Sequence, residues 1–132
     1  MSDLIIFDTS VLVDQLRTDC HRRRIETLNG LIRNSSVVMA ELWRGVIIPA
    51  DRVALARNHP TITPTQKNWL ESGKILGEIR ADCGLTADKL RDLHFDVLLA
   101  LAARSNDARL ITSNRADFEM IDSYRKLQLE IW

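Results

Sequence analysis

A short apolar run near the start of the chain, Leu4-Ile5-Ile6-Phe7, stops at the carboxylate of Asp8. A run of this kind, bounded by polar residues, is typical of a strand that is buried on both faces in the middle of a parallel sheet. Asp8 and the two hydroxyl residues that follow it, Thr9 and Ser10, then lie at the carboxyl end of the strand. Ligands of open α/β sheets bind at that edge, so Asp8 is a candidate site residue.

Further short segments rich in apolar or β-branched residues predict four more strands, with helices between them, near residues 36–38, 61–63, 109–112 and 127–131. Prolines on both sides of the 61–63 run favour an edge position, where a missing N–H donor does no harm. The alternation predicts an α/β fold: a three-layer α/β/α sandwich with a mostly parallel sheet of about five strands. Because no linker or repeat interrupts the pattern, residues 1–132 are expected to form a single domain.

The helices predicted between these strands cover residues 10–17, 19–32, 39–48, 51–58, 65–82 and 86–104. We expect Thr9 or Ser10 to cap the first of them, and Thr65 and Gly84 to bound the long one. The pattern of the 86–104 helix allows a break near Leu93. Trp69 is interpreted as a core or interface anchor rather than as a platform for base stacking.

Asp96 is the acid that helix stability explains least. The residues around it, from Phe95 to Ala103, are otherwise apolar all round, which is typical of a buried helix. An ionised carboxylate at such a position is costly unless a cation or hydrogen-bond donors compensate for it. Asp92, one turn earlier, is expected to be a cap or a solvated residue.

Two further acids follow predicted strands at the same sheet edge as Asp8. Glu41 is expected in the first turn of the helix after the second strand, and Asp117 is expected as the third residue of a helix that Asn114 caps. Each can be explained by favourable interaction with the helix dipole alone. Their positions nevertheless predict that they converge with Asp8 and Asp96.

Four carboxylates gathered in one place would repel one another unless a cation binds between them. Oxygen ligands without histidine or cysteine favour Mg²⁺ or Mn²⁺ over zinc. A carboxylate-held ion of this kind is suited to phosphodiester hydrolysis, and one or two ions could serve. His94 is the nearest histidine, but no orienting partner is evident near it, so we do not expect it to be a general base.

The formal net charge is zero, with 18 basic and 18 acidic residues, which by itself argues against a nucleic-acid partner. Setting the four clustered acids aside leaves 18 bases against 14 acids elsewhere, enough for a basic rim that steers phosphates to a negative pocket. The run Arg22-Arg23-Arg24 fits either a solvated helix face or a contact with a phosphate backbone or an acidic partner.

The amino terminus has no basic segment followed by a long apolar one, so neither a signal peptide nor a membrane span is expected. The protein is therefore predicted to be cytoplasmic. Cys20 and Cys83 lack the spacing of a metal site and are interpreted as two free thiols.

Four segments, residues 6–12, 36–45, 96–102 and 110–118, contain these acids in a fixed order. Together they resemble the PIN-domain ribonucleases, and within them the VapC-type toxins of bacterial toxin–antitoxin pairs. The resemblance covers essentially the full length and implies a homodimer, an RNA substrate and inhibition by a cognate antitoxin. It departs from the family's pattern at 91–95 and follows it only loosely from 50 to 84, which affects the dimer surface and the substrate choice.

By the same resemblance, an acidic metal site would be formed by Asp8, Glu41, Asp96 and Asp117. Thr9 or Ser10, together with Thr112 and Asn114, would support that site. The first three acids would bind the metal directly, whereas Asp117 would ligate a second ion or hold a metal-bound water.

The sequence thus predicts a Mg²⁺-dependent endoribonuclease that acts as a toxin. One alternative is a catalytically silent PIN-like module that binds RNA without cleaving it. Another is a small Mg²⁺-dependent phosphatase or phospho-receiver. Two requirements count against these last alternatives. A phosphatase of this kind requires an acid at the position of Ser10, and a phospho-receiver requires a lysine near the last strands. The RNA that is cut and the identity of the antitoxin cannot be read from the sequence.

Overall fold

Helices and strands alternate along the chain in the computed structural model, which describes residues 3–45 and 59–132. The strands are β1 (Leu4–Phe7), β2 (Leu31–Ser35), β3 (Thr61–Ile62), β4 (Arg109–Thr112) and β5 (Gln128–Ile131). The helices in the described ranges are α1 (Thr9–Thr18), α2 (Arg22–Glu26), α3 (Ser36–Gly45), α4 (Gln66–Cys83), α5 (Ala87–Ser105) and α6 (Arg115–Tyr124).

The five strands form one sheet in the order β3-β2-β1-β4-β5, and every neighbouring pair is parallel. β1 lies at the centre, where Ile6 is in register with Arg33 of β2 and Leu110 of β4. β3 lies at an edge, as its flanking prolines predicted. The predicted α/β class and the parallel sheet are therefore confirmed.

Apolar side chains cover both faces of the sheet, which accounts for its three layers. Ile6 joins the larger core, which α3, α4, α5 and α6 help to build. Ile5 and Phe7 point to the opposite face and pack with Val11 of α1 and Ile111 of β4. Successive residues of β1 therefore enter two different cores, as expected for a strand buried on both faces.

The second strand lies earlier in the chain than the sequence predicted, so the strand at 36–38 was wrong, and of the helix predicted over 19–32 only Arg22–Glu26 is helical. The helical spacing of Ile25, Leu28 and Ile32 is interrupted at Gly30, where a Cβ atom would lie 2.5 Å from the carbonyl oxygen of Asp3. The backbone of β2 therefore begins beside β1 at a position that only glycine fits.

β2 passes directly into α3 at Ser35. The hydroxyl of Ser35 accepts hydrogen bonds from the backbone N–H groups of Val37 and Val38, at 3.1 and 3.4 Å, and so caps α3. Because α3 begins at Ser36, Glu41 lies in the second turn of this helix and not in its first. The 51–58 helix and the end of the 39–48 helix fall outside the described residues.

Two further predictions about helices need correction. The N-cap of α1 is Asp8, not Thr9 or Ser10, because both hydroxyl residues already lie inside the helix. The helix α5 runs without a break past Leu93, whose side chain is fully buried in the core.

The boundaries of α4 are as predicted. Thr65 and Asn68 form a capping box at its start, and Gly84 ends it in the left-handed conformation with φ of 63°. Trp69 on this helix is 50% exposed, so it does not anchor the core. Cys20 and Cys83, which were predicted to be free thiols, are exposed and form no disulfide.

In the part of the chain that the structure describes, no helix combines the length and the apolar character that crossing a membrane requires.

Candidate metal centre

Three of the four predicted acids meet at the carboxyl edge of the sheet. Asp8 directly follows β1, Glu41 comes from α3, and Asp96 lies in the middle of α5. Each offers a carboxylate oxygen, and these three oxygens all lie within 4.8 Å of one another. Within residues 3–45 and 59–132, this is the one group of acidic side chains spaced closely enough to hold a metal ion. Its donors are the hard oxygen ligands that Mg²⁺ and Mn²⁺ prefer.

Asp8 is held in place by two hydroxyl groups. The residue is only 4% exposed, and its Oδ2 accepts hydrogen bonds from Ser10 and from Thr112, both at 2.8 Å. Its backbone N–H donates to the carbonyl oxygen of Ile111 at 2.8 Å, which continues the pairing between β1 and β4. The carboxylate is thus held by hydrogen bonds from both α1 and β4.

The hydroxyls that hold Asp8 are themselves fixed by the backbone after β4. The Thr112 hydroxyl accepts from the N–H of Asn114 at 3.0 Å, and the Ser10 hydroxyl accepts from the N–H of Ser113 at 3.1 Å. Each hydroxyl therefore receives one hydrogen bond and donates another to Asp8. The result is a continuous polar network between α1 and the end of β4.

Glu41 is less enclosed. Burial raises the pKa of its carboxyl group, and the hydroxyl of Thr9, which donates to Oε1 at 3.1 Å, partly opposes that effect. The negative charge of Asp8 raises this pKa further, and the positive charge of Arg44 lowers it. Thr9 therefore both orients Glu41 and favours its charged form.

Asp96 is the most perturbed group of the three. Burial, followed by the negative charges of Asp8, Glu41 and Asp117, raises the pKa of its carboxyl group to about 8, against an opposing effect of Lys89. Among the described residues, no hydrogen-bond donor reaches its carboxylate. Without a cation, Asp96 therefore holds a proton at neutral pH, and a divalent ion between the acids would take that proton's place.

Asp117 stands beside the cluster rather than within it. One carboxylate oxygen, Oδ2, accepts from the side-chain amide of Asn114 at 3.1 Å, and the other, Oδ1, lies 3.5 Å from the ammonium group of Lys89. Asn114 is at the predicted N-cap position of α6, but its side chain donates to Asp117 and does not cap the helix. Asp117 is close enough for its charge to act on Asp96.

All four predicted supporting residues contact one of the predicted acids. Sequence reasoning missed two basic residues whose charges act at the centre, Lys89 and Arg44, although Arg44 follows Glu41 by only three residues on the same helix. For Lys89 a signal was available: it lies seven residues before Asp96, two turns away on the same face of α5.

Two other predictions on α5 concern residues that are not part of the three-acid cluster. Asp92 is exposed to solvent, as expected. His94 contacts Ser72, with 3.1 Å between the hydroxyl and Nε2, and its ring meets that of Trp69 edge-on. Both partners of His94 lie on α4, so the structure provides no reason to assign it a role at the acids.

Comparison with solved structures finds the same fold in toxin–antitoxin complexes. A chain in the structure of VapBC-1 from nontypeable Haemophilus influenzae superimposes with a TM-score of 0.72 at 21% identity, covering 98% of both chains. A chain in a toxin–antitoxin complex from Klebsiella pneumoniae gives a TM-score of 0.53 at 19% identity, covering 86% of this chain and 89% of that one. No protein-family model and no curated protein matches the sequence. The likeness confirms the PIN-like fold.

Proposed function

We propose that this PIN-like protein is a Mg²⁺-dependent endoribonuclease that hydrolyses RNA phosphodiester bonds and serves as the toxin of a toxin–antitoxin pair. The observation that carries the proposal is the cluster of Asp8, Glu41 and Asp96 at the carboxyl edge of the sheet, with oxygens within 4.8 Å of one another. Mn²⁺ would satisfy the same ligands.

In this proposal Asp8, Glu41 and Asp96 hold the ion directly. A bound divalent ion supplies Lewis-acid stabilisation of the charge that develops on the scissile phosphate and lowers the pKa of the attacking water. Asp117 either orients that water or helps to bind a second ion. No side-chain base is needed.

The chain's own groups prepare the centre for the ion. Ser10 and Thr112 orient Asp8, and Thr9 orients Glu41. Asp96 would release its proton on binding of the ion, because the positive charge would remove the cost of ionising a buried acid. Arg44 and Lys89 place positive charge beside the acids, where it would attract the phosphates of RNA.

The proposal includes a cognate antitoxin that inhibits the enzyme, which is supported by the fold shared with chains of toxin–antitoxin complexes. It also includes a homodimer. Large apolar side chains that are exposed on α3 and α4, namely Trp43, Trp69 and Leu70, offer surface for a second copy or another protein. An RNA-cleaving toxin of one domain, residues 1–132, would act in the cytoplasm, where its substrate is.

Cleavage of RNA by Asp96→Asn tests the proposal. We expect a loss of at least about 100-fold in rate with Mg²⁺, since losing even an outer partner of a metal ligand typically costs 10- to 100-fold. Asp92→Asn is the matched control: it makes the same chemical change one turn earlier on α5, at an exposed position, and should cleave like the wild type.

Equal rates for wild type and a folded Asp96→Asn would overturn the assignment of the site. RNA binding that is unchanged by a chelator, without turnover in Mg²⁺ or Mn²⁺, would instead identify the silent RNA-binding module. The measurement is loss of full-length RNA over time, with circular dichroism to establish folding.

A further inference from the structure

The ammonium group of Lys89 lies 3.5 Å from Oδ1 of Asp117, beside the three acids but outside their cluster. From this contact we infer that Lys89 provides the positive charge at Asp117 that a second divalent ion would otherwise provide, so that the centre binds one ion. The inference rests on the proposed function, because it concerns the metal content of the same site.

Helix stability does not explain a lysine at this position. The side chain of Thr86 caps α5 by accepting from the backbone N–H of Lys89 at 3.2 Å, which places Lys89 in the first turn of the helix. A cation there is disfavoured by the helix dipole, and the acid that suits the dipole is Asp88, its neighbour. The position of Lys89 therefore has to be accounted for by what its ammonium group contacts.

The ammonium group contacts an acid from a different element. Lys89 lies on α5 and Asp117 on α6, and the two side chains are 46% and 21% exposed. A pair that is partly shielded from water is screened less by salt than a pair on the open surface. Asn114 binds the other oxygen of the Asp117 carboxylate. Both oxygens of Asp117 thus have a partner from the chain itself.

The remaining acids form a complete site without Asp117. Three carboxylates are enough to hold Mg²⁺ or Mn²⁺, which keep several water ligands. One divalent ion at these three acids and one ammonium group at Asp117 offset most of the negative charge of the four carboxylates. A second ion would have to displace Lys89 from Asp117 and would meet its positive charge.

Lys89 is therefore a positioning residue: it acts through Asp117 and keeps that carboxylate in place for the attacking water. Removing the ammonium group while keeping the length of the side chain, as in Lys89→Met, should leave Asp117 available to a second ion. Lys89→Arg keeps the charge and should preserve the original stoichiometry. Arg91→Met is the matched control, since it removes one positive charge from the same end of α5 at a side chain that is 75% exposed.

We measure the stoichiometry by titrating the purified proteins with Mn²⁺ alone. Electron paramagnetic resonance detects the ion that stays free at each point of the titration. We expect one Mn²⁺ per chain for the wild type, Lys89→Arg and Arg91→Met, and two for Lys89→Met. The double variant Lys89→Met/Asp117→Asn should return to one ion, which would place the second ion at Asp117. Thermal unfolding in chelator establishes that every variant is folded.

The results separate this inference from the proposed function. Two ions in the wild type, or a single ion in Lys89→Met, would overturn the role of Lys89 and leave the ribonuclease proposal intact. A second ion that persists in the double variant would also overturn the role of Lys89. No Mn²⁺ binding by the wild type would refute the metal centre itself.

Discussion

Asp8 and Asp96 contribute oxygens to the same cluster, but their chemical environments differ. Asp8 accepts two hydrogen bonds from hydroxyl groups that the backbone after β4 holds in place. Asp96 lies in an apolar stretch of α5 with no such donor among the described residues, and the pKa of its carboxyl group is raised to about 8. On the proposed function, Asp8 would be a ligand arranged in advance, whereas Asp96 would become a ligand only when a cation replaces its proton.

The largest effect that follows from this comparison is the loss of Asp8. In Asp8→Ala we expect cleavage to be abolished, a fall of more than about 100-fold, because the ion loses its most firmly fixed ligand. The chelated protein should remain folded, since the removal of one negative charge relieves repulsion on Glu41 and Asp96 and offsets the lost hydroxyl contacts. RNA cleavage assays and chemical unfolding in chelator measure the two quantities.

A folded Asp8→Ala that still cleaves RNA would show that Asp8 is not a ligand. Unfolding of the variant, with metal binding unaltered in the fraction that stays folded, would make Asp8 a structural residue.

A smaller effect is expected from Thr112→Val, which removes a hydroxyl donor to Asp8 while keeping the shape of a fully buried side chain. Metal affinity should fall about 10- to 100-fold, the usual cost of losing an outer partner of a ligand. The free energy of unfolding should fall by about 1.5–3 kcal/mol, as for hydrogen bonds to charged groups. Calorimetric Mn²⁺ titration and denaturant unfolding test both values, and unchanged affinity would mean that the hydroxyls do not prearrange Asp8.

The smallest effect concerns pH and reports on Asp96. An unfolded aspartate has a pKa of about 3.9, so between that value and about 8 the folded protein holds a proton that the unfolded chain has lost. The free energy of unfolding without metal should therefore fall as pH rises through this range, by up to about 1.4 kcal/mol per pH unit. Metal affinity should rise over the same range, by up to about tenfold per unit, because the ion displaces the proton.

Unfolding in chelator at pH 6 and pH 7 provides the measurement. Asp96→Asn should remove most of the dependence and leave only the part that the raised pKa of Glu41 contributes, whereas Asp92→Asn should retain all of it. A wild-type slope of zero, or a slope that is undiminished in Asp96→Asn, would contradict the view that Asp96 carries the proton.

The fold could be predicted where the sequence signal is local. β1 and β4 contain apolar runs, β5 alternates apolar and polar residues, and the ends of α4 are marked by a capping threonine and a glycine. β2 was misplaced because three of its five residues are polar and Ile32 continues a helical spacing from α2. The pair Asn29-Gly30 was the signal that could have corrected this, because Asn-Gly marks a turn.

The acids could be predicted because a position at the end of a strand, or alone in an apolar helix, is visible in the sequence. Glu41 was found even though its strand and its helical turn were wrong, since it still follows β2 toward the same edge. The contact between Lys89 and Asp117 could not be predicted, because it depends on how α5 and α6 pack rather than on either segment alone.

The central position of β1 has a consequence for the order in which the protein folds. The Thr112 hydroxyl that fixes Asp8 comes 104 residues later in the chain, and β1 pairs with β4 across a similar separation. During synthesis, β1 leaves the ribosome before β4 and waits for this neighbour until the intervening residues have been made. Contacts so distant in sequence form late and slow the folding of a domain. The arrangement around Asp8 is therefore completed only when translation has passed Thr112.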